Sequence, residues 1–187
     1  MDLHGLTSNI TVAAFHIDTG RKGFAIKGKA DEGRVSYEKG ISLAFSTFRD
    51  AQSTVDPRAI ILIEYTFLIQ ELQFCDATDT DTLSSLTEAK QNFDDAFLVL
   101  EIVEDKTLYH AADKAFPNNK KHRIKGFPKD SFHIACNSHK ARLKNIKRSP
   151  GIDLIEKALL QQRLINLSTA QAGYIALQKK AMEFKAY

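Results

Sequence analysis

Apolar residues recur at spacings of three and four along most of the chain after Gly33, which is the period of α-helices that bury one face. This period predicts five helices, over residues 36–52, 58–74, 85–117, 130–147 and 152–184. Helices with apolar stripes bury them best against one another. The sequence therefore predicts a mainly α fold, a bundle of four to five helices formed by residues 34–187.

The first 33 residues carry a different pattern. Residues 10–17 are apolar and rich in β-branched side chains, residues 18–23 are typical of a turn, and residues 24–27 are apolar again. This order predicts a small N-terminal β-hairpin. We therefore expect one domain over residues 1–187, in which residues 1–33 form a hairpin extension of the helical bundle.

Within the predicted turn, Asp18-Thr19-Gly20 resembles the catalytic triplet of the aspartic proteases, in which two carboxylates share a proton and activate water. Arg21 stands where that family has a small or hydroxyl residue. Residues 17–26 also resemble the first phosphate hairpin of the actin-like and sugar-kinase ATPases, whose folds need two α/β lobes. Because the rest of the chain has a helical pattern, we expect an ordinary hairpin turn here.

The composition and the apolar runs restrict the class of protein. Hydrophobic residues make up 43% and charged residues 26%, which excludes wholesale disorder. Two cysteines, Cys75 and Cys136, exclude a disulfide scaffold, and the first residues lack the pattern of a signal peptide. Residues 59–69 form the longest apolar stretch, which is shorter than the roughly 20 residues of a membrane span. We expect a cytoplasmic protein with no membrane span.

Charge is segregated along the chain, although the net charge is only +3. Residues 51–116 carry 4 Lys and Arg against 13 Asp and Glu, whereas residues 117–187 carry 15 against 4. Such asymmetry is typical of a surface for nucleic acid or anionic lipid. The alternative is that the acidic segment of residues 82–115 lies beside the basic one and neutralises it.

The basic excess is densest between residues 117 and 148, in a predicted loop (residues 117–129) and the helix that follows. Lysine and arginine side chains along a rigid helix suit phosphate contacts, because each contact releases counterions. Aromatic side chains for base stacking are scarce there. The residues predicted to bind nucleic acid or another polyanion, such as an acidic protein, are Lys120, Lys121, Arg123, Lys125, Lys140, Lys144, Lys147 and Arg148.

Two other hypotheses stay open. The last predicted helix is apolar on more than one side (Leu154, Leu159, Leu160, Leu164 and Ile165), which favours a homo-oligomeric interaction or scaffold module. An enzyme with a His/Asp site has weaker support, because Asp18 or residues such as His133 would have to converge in a cleft, and nothing in their spacing requires this.

Metal and DNA-binding motifs are weak. Asp130, His133, Cys136 and His139 recur every three residues, so their directions sweep about 180° around a helix. Closed zinc sites usually show two ligand pairs in sequence, which this chain lacks. We therefore predict no metal and no cofactor. Residues 164–171 could join two short helices as a helix-turn-helix does, with an interruption at 166–168, but no glycine marks the turn.

Overall fold

The computed structural model describes residues 2–54, 58–104 and 127–183, and within these residues the chain forms six helices. In chain order the helices are α1 (Leu3–Phe24), α2 (Ala30–Ser53), α3 (Arg58–Phe74), α4 (Thr80–Glu104), α5 (Phe127–Arg148) and α6 (Leu154–Glu183). The predicted mainly α fold is confirmed, and the described residues contain more than the four to five helices predicted.

The predicted N-terminal β-hairpin is wrong. Residues 3–24 form the single helix α1, whose N-terminus is capped by the Asp2 carboxylate, which accepts the backbone N–H of Gly5 at 2.7 Å. The connection to α2 lies at residues 25–29, and it includes Gly28 at a φ of 82°. Asp18, Thr19 and Gly20 lie inside α1, so the hairpin implied by both family resemblances is not formed.

Glycines that are typical of turns serve here to bring two helices together. A Cβ atom at Gly20 would lie 2.6 Å from the Cβ atom of Tyr37, and one at Gly40 would lie 2.7 Å from the carbonyl oxygen of Ala13. Real Cβ atoms do not approach other atoms this closely. The backbones of α1 and α2 therefore pack against each other because these positions carry no side chain.

Helix α3 lies at the centre of the fold and packs on α1, α2, α4 and α6. Its bounds agree with the prediction, and the core side chains that it contributes are Ala59, Ile60, Ile61, Ile63, Phe67 and Leu68. A helix that is apolar nearly all round has no face suited to water, which accounts for its central place. The Asp56-Pro57 pair, an N-cap acid followed by proline that predicts the start of this helix, lies outside the described residues.

Three predicted helix starts move toward the N-terminus. Helix α2 begins at Ala30, so the predicted start at Ser36 is wrong. Helix α4 begins at Thr80, where the Asp79 carboxylate accepts the backbone N–H of Thr82 at 3.1 Å, so the predicted start at Ser85 is wrong. Helix α5 begins at Phe127, so the last three residues of the predicted loop 117–129 belong to a helix. The other residues of that loop, and the end of the third predicted helix beyond Glu104, lie outside the described residues.

Helix α6 is continuous where an interruption is predicted. It runs from Leu154 to Glu183, and Asn166 and Leu167 are buried within it, so the helix-turn-helix hypothesis is wrong. The predicted break before it is confirmed, with Gly151 at a φ of 86°. None of the described helices has both the length and the apolar character needed to cross a membrane.

Candidate functional site

A groove of about 930 Å³ lies between α5 and α6. We call it the basic groove, because four of its residues are cationic. Its lining residues are Lys144, Lys147, Arg148, Lys157, Gln161, Leu164, Ile165, Ser168, Thr169 and Ala172. The short connection at residues 149–153 turns the chain back, so that α6 runs antiparallel beside α5 and both helices contribute side chains to the groove.

Hydrogen bonds between the two helices set their register. The Nζ atom of Lys147 donates to Oε1 of Gln161 at 2.5 Å, and Nζ of Lys140 donates to Oε1 of Gln171 at 2.5 Å. Both acceptors are neutral amides, so these contacts orient the two ammonium groups without neutralising their charge. The lysines of α5 therefore follow α6 along its length as a row of positive charges.

The cations of the basic groove have no acidic partner among the residues that the structure describes. None of the ion pairs found within residues 2–54, 58–104 and 127–183 includes Lys144, Lys147, Arg148 or Lys157. The acidic helix α4 packs on α5, yet its Asp94 carboxylate lies 2.7 Å from the Nζ atom of Lys90 on its own helix. No α4 carboxylate whose side chain the structure describes pairs with a groove cation, and the side chains of Asp95, Glu101 and Glu104 lie outside that description.

The structure describes half of the predicted polyanion-binding residues. Lys140, Lys144, Lys147 and Arg148 lie on α5, and the last three line the basic groove. The other four, Lys120, Lys121, Arg123 and Lys125, lie outside the described residues.

Lys157 is a groove residue that the sequence analysis does not predict, because the basic excess is densest in residues 117–148. Its spacing of four from Gln161, and of eight from Ile165, is the sequence pattern that places it on their face of the last helix.

On the opposite side of α6 lies a second charged cluster, which we call the buried charge network: Glu64, Glu71, His139, Arg142, Arg163 and Asn166. Arg163 is its centre and only 3% exposed. Its Nε atom donates to Glu64 at 3.3 Å, and its Nη1 atom donates to Glu71 at 2.8 Å. Its guanidinium carbon lies 4.4 Å from the ring centroid of Phe67, a stacking cation–π geometry.

Each carboxylate of the network has a second partner. Asn166 donates its side-chain N–H to Glu64 at 3.0 Å, and Arg142 donates to Glu71. Two carboxylates thus face two guanidinium groups, so the formal charge of the network is balanced. Charge balance and hydrogen bonds make a buried ion cluster tolerable in a protein interior. Within the described residues, only Nε of Arg142 is buried without a hydrogen-bond partner.

His139 joins the network in its neutral form. Its Nε2 atom lies 3.3 Å from Nη2 of Arg163, which can only donate, so Nε2 accepts and the ring proton is on Nδ1. Burial lowers the pKa of His139 to about 3, with Arg163 and Arg142 adding to the shift and Glu71 opposing it. Burial would raise the pKa of Glu71, but Arg163 and Arg142 outweigh it and hold this pKa at about 2.

The residues of the enzyme hypothesis have structural partners. Asp18 lines a second cavity, of about 590 Å³, but its carboxylate lies 2.6 Å from the Nζ atom of Lys22. In the same cavity Glu156 accepts the hydroxyl of Tyr37 at 3.1 Å and pairs with Arg21. Among the described residues Asp18 forms no catalytic pair of carboxylates, and the contacts of Glu156 hold α1, α2 and α6 together.

The described residues do not assemble a metal site. Within them, no group of three His, Cys, Asp or Glu side chains is suitably placed for a metal ion. Cys136 is buried, which raises the pKa of its thiol to about 12, and Cys75 is also a free thiol.

Comparisons of the chain with protein-family models, curated proteins and solved structures found no match. The function is therefore argued from the chemistry of the groove itself.

Proposed function

We propose that this protein is a non-enzymatic binding module that holds a polyanion, nucleic acid or an acidic protein, in the basic groove. One observation carries the proposal: four cations share one groove, and none of them has a carboxylate partner within the described residues. Arg142 and Arg163, on the same two helices, both have such partners. The groove cations are therefore the ones that an external anion can pair with.

The groove suits a polyanion for two physical reasons. Its cations stand on two helices held in register, so several contacts form without ordering a flexible segment first. Each contact with a phosphate or carboxylate along a polyanion releases condensed counterions, so several modest contacts add to a useful affinity. This gain in affinity decreases as the salt concentration rises, so the salt dependence of binding tests the proposal.

The test is fluorescence anisotropy with three labelled polyanions, namely a duplex oligonucleotide, heparin and polyglutamate, at about 50 and 200 mM salt. Four phosphate contacts predict that affinity for the duplex falls about a hundredfold between these conditions. Absence of binding by all three probes at the lower salt would overturn the proposal.

A charge reversal assigns any binding to the groove. Lys144→Glu places a carboxylate in the groove, and we expect affinity for every bound probe to fall about tenfold or more, with a shallower salt dependence. Lys39→Glu is the matched control, since Lys39 is an exposed lysine on α2. Equal losses in both variants would show that binding follows net charge and not the groove.

A homo-oligomeric scaffold is the second candidate function. Leu154 is 83% exposed at the start of α6, and Ile155 beside it is 46% exposed, whereas Leu159, Leu160 and Leu164 are buried in the core. A second copy that covered Leu154 and Ile155 would give a mass above 21.0 kDa by light scattering. Leu154→Glu would return that mass to 21.0 kDa.

A further inference from the structure

C-terminal to Lys157, the α6 side of the basic groove is neutral and partly apolar. Gln161, Ile165, Ser168 and Ala172 follow one another at spacings of four, three and four, so they share one exposed face of the helix. Ile165 is 46% exposed, and Leu164 also lines the groove. Leu154, seven residues before Gln161, continues this face toward the helix start.

The α5 side of the groove is cationic. Lys140, Lys144 and Lys147 are spaced by four and three residues, which places them along one edge of α5 beside that neutral face. A ligand that fills the groove thus meets positive charge on one side and apolar surface on the other. Its own surface must be divided in the same way.

Nucleic acid matches this division poorly. Among the described residues that line the groove there is no aromatic side chain on which a base could stack. A phosphate backbone would contact the lysines but leave Ile165 exposed, or would bring charge against it.

A helix that carries an apolar stripe and an acidic flank matches both sides. The groove extends from Lys157 to Ala172, which is about 22 Å at 1.5 Å per residue, or roughly four helical turns. Carboxylates three and four residues apart on such a helix have the spacing of the α5 lysines. This is the usual way in which an amphipathic helix occupies a groove.

We infer that the ligand of the basic groove is an acidic amphipathic helix of a partner protein, which lays its apolar stripe on Ile165 and its carboxylates against Lys144. This inference rests on the proposed function and names the polyanion for the same site. Apolar contact and charge pairing then act together, and the apolar part of the affinity persists at high salt.

Two synthetic peptides of 18 residues test the inference. The first places leucines at i, i+3, i+4 and i+7 and glutamates elsewhere, and the second has the same composition in an order without a single apolar face. We expect the first peptide to bind at least tenfold more tightly, and to keep measurable binding at the salt concentration at which the duplex oligonucleotide is released. Equal affinity of the two peptides would overturn the inference.

A variant separates the inference from the proposed function. Ile165→Ser removes apolar surface and no charge, so we expect it to weaken the amphipathic peptide several-fold and to leave the duplex unaffected. Ile26→Ser is the matched control, since Ile26 is 50% exposed and distant in sequence. Binding of the duplex with no preference for the amphipathic peptide would overturn the inference alone, whereas failure of every polyanion would overturn the proposed function as well.

Discussion

Cations lie on both sides of α6, and the two sides differ in whether a described carboxylate pairs with those cations. On one side Arg163 is buried and bound to Glu64 and Glu71 of α3. On the other side Lys157 belongs to the basic groove, where no carboxylate of the described residues reaches it. Glu64 and Glu71 of the acidic segment therefore pair with cations of the interior, while no described carboxylate pairs with the cations of the groove. An acidic and a basic segment of one sequence need not pair with each other at the surface of the folded protein.

The largest expected effect is on the buried side of this comparison. Arg163→Ala leaves Glu64 buried without its cation, and breaking a buried ion pair in this way costs about 3–5 kcal/mol of unfolding free energy. Urea denaturation followed by circular dichroism measures the loss. The matched control is Arg148→Ala in the basic groove, for which we expect a change within about 0.5 kcal/mol. Similar losses in the two variants would remove the distinction between the two sides.

The next effect is a dependence of stability on pH that arises in the buried charge network. The pKa of His139 is about 3 in the folded protein, below the value near 6.5 of an exposed histidine. Between pH 3 and pH 6.5, the histidine therefore binds a proton in the unfolded chain and does not bind one in the folded protein. Stability decreases as pH falls from 6.5 toward 3, by about 1 kcal/mol per pH unit.

His139→Gln tests this prediction, because glutamine keeps an acceptor for Arg163 and does not titrate. We expect the slope of unfolding free energy against pH between 6.5 and 5 to decrease by about 1 kcal/mol per unit. The exposed His4 supplies the control variant His4→Gln, which should keep the original slope. An unchanged slope in His139→Gln would mean that the ring is not held neutral by its surroundings.

The smallest effect on stability is expected in the groove. Lys144→Ala removes an exposed side chain with no acidic partner in the described residues, so the free energy of unfolding should change by less than about 0.5 kcal/mol. Affinity for a polyanion should nevertheless decrease several-fold in the same variant. Thermal denaturation and anisotropy on one preparation measure both, and a large loss of stability would place Lys144 in a structural role.

The predictions from sequence succeeded where one pattern decides the structure. The bounds of α3 were predicted correctly because Asp56-Pro57 is a strong start pattern and the apolar run has helical length. The prediction of an N-terminal hairpin was wrong because glycines such as Gly20 and Gly23 are typical both of turns and of close contacts between helices. Which of these a glycine serves depends on α2, whose position is not visible in the residues around it.

The candidate site was predictable only in part for a related reason. The cations of α5 stand out in the sequence, so Lys140, Lys144, Lys147 and Arg148 were named. Arg163 and Glu64 are 99 residues apart, and no local spacing indicates that they meet. Whether a cation is paired or free is therefore a property of tertiary packing.

The central claim is that the lysines of the basic groove are free in the protein alone and covered by a polyanion. Acetylation with a water-soluble succinimidyl ester, read residue by residue by mass spectrometry with and without heparin, tests it directly. We expect Lys144 and Lys157 to react readily in the free protein and to become protected by heparin, while Lys39 reacts equally in both. Slow reaction of Lys144 and Lys157 without heparin, or unchanged reaction with it, would contradict the account.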